Sequence, residues 1–176
     1  KLTLNFGKNR HLKGDWEHSS KSDLNFTHGN MILNPDFKEF FRLLNANGVH
    51  YMIVGGYAVA YHGYPRYTKD IDVWIWVHPE NAAKIEKTLR DFGFESLGLQ
   101  ASDFLEEGTI VQLGYAPNRI DLIMGIPGVD FEECYAKRVE EEIDGVSLSF
   151  IDLENLKKAK KASGRLQDLA DVENLE

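Results

Sequence analysis

The run Val54–Val77, VGGYAVAYHGYPRYTKDIDVWIWV, constrains this chain more than any other. It reads as the end of a strand, a Gly-Gly turn into a short helix, a loop, and a strand that opens on two carboxylates one residue apart. Side chains alternate along a strand, so Asp70 and Asp72 share one face, about 7 Å apart, while Ile71 and Val73 take the other. Like charges placed this way repel, and they cost stability unless a cation lies between them. A hard divalent metal is the natural occupant. Upstream, Gly55 and Gly56 let the backbone turn sharply and approach a ligand at the start of a helix, where free N–H groups favour phosphate. A metal beside a phosphate cradle points to a nucleoside triphosphate.

The flanking sequence sets a helix-and-strand frame around this run. Asn34-Pro35 signals a helix start, Phe37, Phe40, Phe41 and Leu44 follow at helical spacing, and Gly48 closes the segment. Tyr51–Val54 is a short buried strand, and a helix from about Gly56 to Tyr61 runs up to the breakers Gly63 and Pro65. Ile71–Val77 is expected to be the central strand, with both faces covered. Pro79–Arg90 is a helix with Ala82, Ala83, Ile85, Leu89 and Phe92 as its inner stripe, ended by Gly93. Phe94–Leu97 reads as a short strand. Thr109–Leu113 and Arg119–Met124 are two strands joined at Ala116-Pro117-Asn118. Asp144-Gly145 marks a hairpin between Val139–Ile143 and Val146–Phe150. Asp152 caps a helix to about Ser163, Gly164 interrupts it, and Arg165–Leu175 forms another. Alternating strands and helices make the fold class α/β, a mixed β-sheet flanked by helices and followed by C-terminal helices.

In the strand RIDLIM, Asp121 is one acid among Ile120, Leu122 and Ile123. An acid in such a strand is expensive to bury without a partner. It is either the third carboxylate of the metal site or one half of a salt bridge with Arg119 or Arg66.

Length and charge narrow the rest. A chain of 176 residues holds one domain, with or without an appendage. Residues 1–30 are polar and aperiodic, so the functional domain is placed at 31–176. The first 30 read as an extension, either foreign to the domain or an arm exchanged in a homodimer. Within it Leu2, Leu4 and Phe6 alternate in the manner of an added edge strand. The net charge of −8 argues against coating nucleic acid by bulk electrostatics, although Lys157–Arg165, KKAKKASGR, is a local basic stretch. No apolar run reaches the roughly 18–20 residues of a membrane span, and no secretory signal opens the chain. With Cys134 as the single cysteine, a packing or chance surface thiol, the expected compartment is cytoplasmic.

Gly55-Gly56, Asp70-x-Asp72 opening a strand, and Asp121 in a later strand together resemble the nucleotidyltransferase superfamily that shares the DNA polymerase β type palm. Lys160, Gly164-Arg165 and Asp168-Leu-Ala-Asp171 are similar to the C-terminal pattern of minimal bacterial nucleotidyltransferase-like proteins of the AbiEii and DUF6036 type. The match spans roughly Phe37–Leu175. It departs from the family at Gly56, where many active members carry Ser, and at Gln167, where toxin-like members often carry Lys.

The resemblance implies transfer of a nucleoside monophosphate from an NTP (ATP, GTP, CTP or UTP) to an acceptor hydroxyl on a tRNA, a partner protein or a small molecule, with a place in a toxin–antitoxin pair. Asp70, Asp72 and Asp121 would hold Mg²⁺ (or Mn²⁺), with Asp121 as general base. Gly55, Gly56, Arg66, Lys69, Lys160, Arg165 and Asp168 would make the nucleotide site. Each residue has a plainer reading. The Asp pair can be solvated acids at a strand entry, and the Gly pair a tight turn. The lysines can be a solvated face, and Asp168 a structural clasp with Arg165 or Lys161. Trp74 and Trp76 read as core, or as a stacking surface for a base. His50, His62 and His78 lack ligand spacing. Two other functions fit less of the pattern: a catalytically inactive nucleotide-binding or regulatory module of the same fold, and a nucleotide-sugar glycosyltransferase using its own DxD.

Overall fold

The computed structural model describes residues 33–115 and 118–175. The expected extension over 1–30, the domain start near Met31 and part of the 116–118 turn lie outside the described residues. In helix α1 (Pro35–Ala46) the Asn34 side chain accepts the Phe37 N–H at 2.8 Å, and Phe37, Phe40, Phe41 and Leu44 are buried. Strand β1 (Tyr51–Val54) is buried along its whole length and passes directly into helix α2 (Gly55–Tyr61). Strand β2 (Asp70–Ile75) and helix α3 (Pro79–Asp91) follow.

The inner face of α3 differs from the expected stripe. Ala83 is exposed, and Asn81 and Thr88 are buried. Asn81 is tolerated because its amide is fully used: Oδ1 accepts the His50 N–H at 2.8 Å, and Nδ2 donates to the carbonyls of His50 and Trp76. It pins α3 to the ends of β1 and β2.

Phe94–Leu97 does not form the expected strand. Glu95–Leu97 and Ala101–Phe104 are short 3-10 turns, because this segment lies beside α3, away from any sheet edge that could pair it. Strands β3 (Ile110–Leu113) and β4 (Arg119–Ile123) pair antiparallel. Helix α4 (Phe131–Lys137) has no counterpart in the sequence reading; Asp130 caps it by accepting the Glu133 N–H. Strands β5 (Val139–Ile143) and β6 (Val146–Phe150) form the expected hairpin, with Asp144 and Gly145 both at positive φ. Helices α5 (Leu153–Ser163) and α6 (Leu166–Asn174) close the chain, separated by Gly164 at φ 67.

The six strands form one mixed sheet in the order β3-β4-β2-β1-β6-β5. β2 runs parallel to β4, and β1 parallel to β6, while β1 and β2 are antiparallel. Ile71, Val73 and Ile75 are fully buried on one face of β2. On the other face Trp74 meets Phe131 of α4 edge-on, at 5.0 Å between centroids, so α4 is the lid that keeps this tryptophan in the core. Cys134, also on α4, is buried, and burial pushes its thiol up to about 11, which leaves it a packing group. Among the described residues no helix is long and apolar enough to cross a membrane.

Candidate active site

The parallel pairing of β2 with β4 sets the site. Its register places Asp72 opposite Asp121 and Asp70 opposite Arg119, so the three acids share one corner of the sheet. Gln112 lies opposite Asp121 on β3. The three carboxylates are treated differently. Arg119 donates from Nε to Asp121 Oδ1 at 2.7 Å and from Nη2 to Asp121 Oδ2 at 3.1 Å, and the same Nη2 also donates to Asp70. Gln112 Nε2 adds a bond to Asp121 Oδ2 at 3.0 Å, and the Thr68 hydroxyl donates to Asp70 Oδ1 at 2.9 Å. Asp72 receives no hydrogen bond or ion pair from any described residue, and it is half-buried. Burial, then the charges of Asp70 and Asp121, push its pKa up to about 7, against the pull of Arg165 and Lys160.

The two glycines are explained by these acids. Gly55 has φ +60, and a Cβ built on it would lie 1.8 Å from Asp72 Oδ2. The carboxylate therefore lies against the bare backbone of the turn. A Cβ on Gly56 would lie 2.9 Å from Thr68 Cβ and 3.0 Å from its Oγ1. Thr68, whose hydroxyl supports Asp70, fills the space into which a side chain at 56 would grow. A side chain at 56 would therefore require Thr68 to shift. No side chain caps the start of α2.

A second cluster gathers several of the residues assigned to the nucleotide. Arg66 makes a two-pronged pair with Asp171, at 2.8 and 3.0 Å. Lys160 is buried and donates to Asp168 at 2.8 Å and Asp171 at 2.7 Å. Arg165 and Ser163 both donate to the other oxygen of Asp168 at 2.6 Å. Burial opposes ionisation of Asp168, but the bonds from Lys160, Ser163 and Arg165 outweigh it and hold its pKa down to about 2. Asp171 is lowered in the same way by Arg66 and Lys160, against its own burial. The clasp on Asp168 uses Arg165 together with Lys160; no bond joins it to Lys161. Gln167 donates to Asp171 at 3.1 Å. This cluster joins α5, α6 and the loop before β2, close enough to Asp72 for the charges of Arg165 and Lys160 to be felt there. Lys69 is exposed on the same loop.

Of the residues singled out in the sequence, Asp70, Asp72, Asp121, Gly55 and Gly56 meet at one corner, and Arg66, Lys160, Arg165 and Asp168 at the other. Thr68 and Gln112 were missed. Gln112 was readable in principle, since an antiparallel pairing that sets Leu113 opposite Ile120 also sets Gln112 opposite Asp121. Trp76 lies between His50 and His78 as a stacked ring, at 5.5 and 4.2 Å, beyond the end of β2. His62 is tied to the Ile151 carbonyl at 2.8 Å.

Three oxygen-donor acids, one of them unpartnered, suit a hard divalent cation by donor chemistry. The arrangement in place is held by Arg119, and among the described residues no three His, Cys, Asp or Glu side chains already converge as a metal site.

No family profile and no curated protein sequence matches this chain. Solved structures do. A putative nucleotidyltransferase from Thermotoga maritima superposes with a TM-score of 0.56 over 84% of this chain and 96% of its own, at 17% identity. An antigenic nucleotidyltransferase-like protein from Paracoccidioides brasiliensis gives a TM-score of 0.46 over 79% and 73%, at 19% identity. The first of these carries the conclusion: the chain has a nucleotidyltransferase-like fold, a six-stranded mixed sheet flanked by helices.

Proposed function

We propose that this protein is a nucleotidyltransferase whose chemistry is centred on Asp72, Asp70 and Asp121. The observation that carries the reading is Asp72: an unpartnered carboxylate, raised to about 7, set between two others on paired strands and pressed against Gly55. Acids whose ionisation is opposed by burial and by neighbouring like charges are concentrated at functional sites. In the reaction, an acceptor hydroxyl oxygen attacks the α-phosphorus of an NTP. The new O–P bond forms as the bond to the β-phosphate oxygen breaks, and pyrophosphate leaves. Asp70, Asp72 and Asp121 would hold Mg²⁺ (or Mn²⁺), which when bound neutralises triphosphate charge and makes the attacking hydroxyl more acidic. Asp121 takes the proton. The backbone N–H groups of the Gly55-Gly56 turn face the phosphates, and exposed Lys69 and Arg165 supply positive charge at the rim. Lys160, Arg66 and Asp168 act one step back, by fixing α5, α6 and the loop before β2.

The acceptor is a tRNA, a partner protein or a small molecule, and the resemblance adds a place in a toxin–antitoxin pair. The direct test incubates the protein with Mg²⁺, each α-labelled NTP and a cell extract. Label moving to an acceptor, and failing to move with Asp70→Asn, supports the proposal; unchanged transfer by that variant removes it. The Arg119 contacts that occupy Asp70 and Asp121 favour a second reading, a nucleotide-binding regulatory module without turnover. That reading expects NTP binding with no label transferred.

A further inference from the structure

Among the described residues Arg119 is the one cation in contact with the acid triad, and its contacts leave little of two carboxylates for anything else. Nε and Nη2 take both oxygens of Asp121, and Gln112 takes a second lone pair on Oδ2. The same Nη2 reaches across to Asp70, whose other oxygen accepts from Thr68. A carboxylate oxygen has about two lone pairs, so Asp121 Oδ2 is fully used. A planar guanidinium fork also fills the space between the two carboxylates. Of the three acids only Asp72 accepts no hydrogen bond among the described residues. A divalent ion shared by Asp70 and Asp121 would have to take the position that the guanidinium holds, and two cations on the same oxygens repel. The guanidinium is not locked in. The Arg119 side chain is 28% exposed, compared with 6% for Lys160, so water is available to receive it.

We infer that Arg119 is the site's built-in counter-cation, a positioning residue that pre-sets Asp70 and Asp121 in the metal-free protein and must be displaced when a divalent metal enters. The inference rests on the acid triad being a metal site. It explains why three acids are tolerated on neighbouring strands, and it makes metal affinity a property tuned by a residue that is not a ligand. Entry of a metal exchanges one positive charge for two, and it releases the guanidinium toward the rim, where an incoming triphosphate offers it new acceptors.

The test is Mn²⁺ binding, followed by electron paramagnetic resonance on the full chain without nucleotide. Arg119→Gln, which keeps hydrogen-bonding groups but removes the charge, is expected to bind Mn²⁺ at least tenfold more tightly than wild type. Arg119→Lys, a smaller point charge, should fall between them and also serves if the Gln variant does not fold. Equal or weaker binding by both variants overturns the inference and makes Arg119 a buttress of the ligands, with the metal site intact. Absence of Mn²⁺ binding in all three proteins overturns it together with the metal reading beneath it. A second measurement needs no variant. The Arg119 Nε–H signal in a ¹⁵N spectrum should be protected without metal and lose protection as Mg²⁺ is added. Protection kept while Mg²⁺ saturates the site contradicts displacement.

Discussion

Asp72 and Asp168 are two aspartates of one chain driven in opposite directions. Asp168 accepts from Lys160, Arg165 and Ser163 and is held down to about 2; Asp72 accepts from no described residue and is raised to about 7. The clasp between α5, α6 and the loop before β2 sets two acids against three cations, Lys160, Arg66 and Arg165. At the sheet corner, among the described residues, Arg119 is the cation paired with two of the three acids, Asp70 and Asp121, and none is paired with Asp72. A cluster with its charges satisfied is structural, and removing any member leaves the others stranded. A cluster short of positive charge carries a standing repulsion, and removing a member relieves it. The two corners should therefore respond to the same substitutions with opposite signs.

The largest effect is expected at the clasp. Asp171→Ala takes the two-pronged partner from Arg66 and leaves Lys160 with Asp168 alone, and breaking a buried pair from one side costs about 3–5 kcal/mol. Urea denaturation measures it, and a loss below about 1 kcal/mol would make the clasp no stronger than a surface pair.

The pH dependence separates the corners next. For Asp72 the folded-state pKa is raised, so between about pH 4 and 7 the unfolded chain has lost the proton that the folded protein keeps. Stability then falls as pH rises through that window, by on the order of 2–4 kcal/mol. Asp168 is lowered, so its contribution is complete above about pH 4 and is lost as pH falls toward 2. In chelator, Asp72→Asn should flatten the loss between pH 4 and 7 and leave the acid limb alone. An unchanged profile would place the repulsion elsewhere.

Smaller effects test the glycines. Gly55→Ala combines a left-handed backbone with a collision at Asp72, for about 1–3 kcal/mol, and should raise the KM for NTP in any transfer reaction. Gly56→Ala collides first with Thr68. Thr68→Ala should therefore recover part of that loss, with a coupling of about 1 kcal/mol in a double-mutant cycle. Additive effects would show that the two positions do not touch.

How much of this was legible in the sequence depended on whether a feature was local. The Asn34-Pro35 start, the Asp144-Gly145 hairpin and the Gly164 break declare themselves through their own backbone preferences, and all stand in the structure. The Asp70/Asp72 face follows from strand alternation. Helix α4 was missed although Asp130 and Glu133 form a start signal, because seven residues after a Gly-Pro-rich stretch carry little periodicity. Phe94–Leu97 looked apolar enough for a strand, but a strand needs a neighbour, and that is decided by the sheet. Lys160 read as a cation of the nucleotide site or part of a solvated face because lysine is rarely buried; its burial depends on Asp168 and Asp171 a helix away. The reasons for Gly55 and Gly56 lay in Asp72 and Thr68, distant partners that composition and spacing do not reveal.

The measurement that tests the central claim most directly is Asp72→Asn, assayed in one preparation for melting in chelator and for label transfer from NTP with Mg²⁺. A carboxylate kept unsatisfied for function predicts a higher melting temperature than wild type and no transfer. A lower melting temperature, or transfer that survives, would contradict the account.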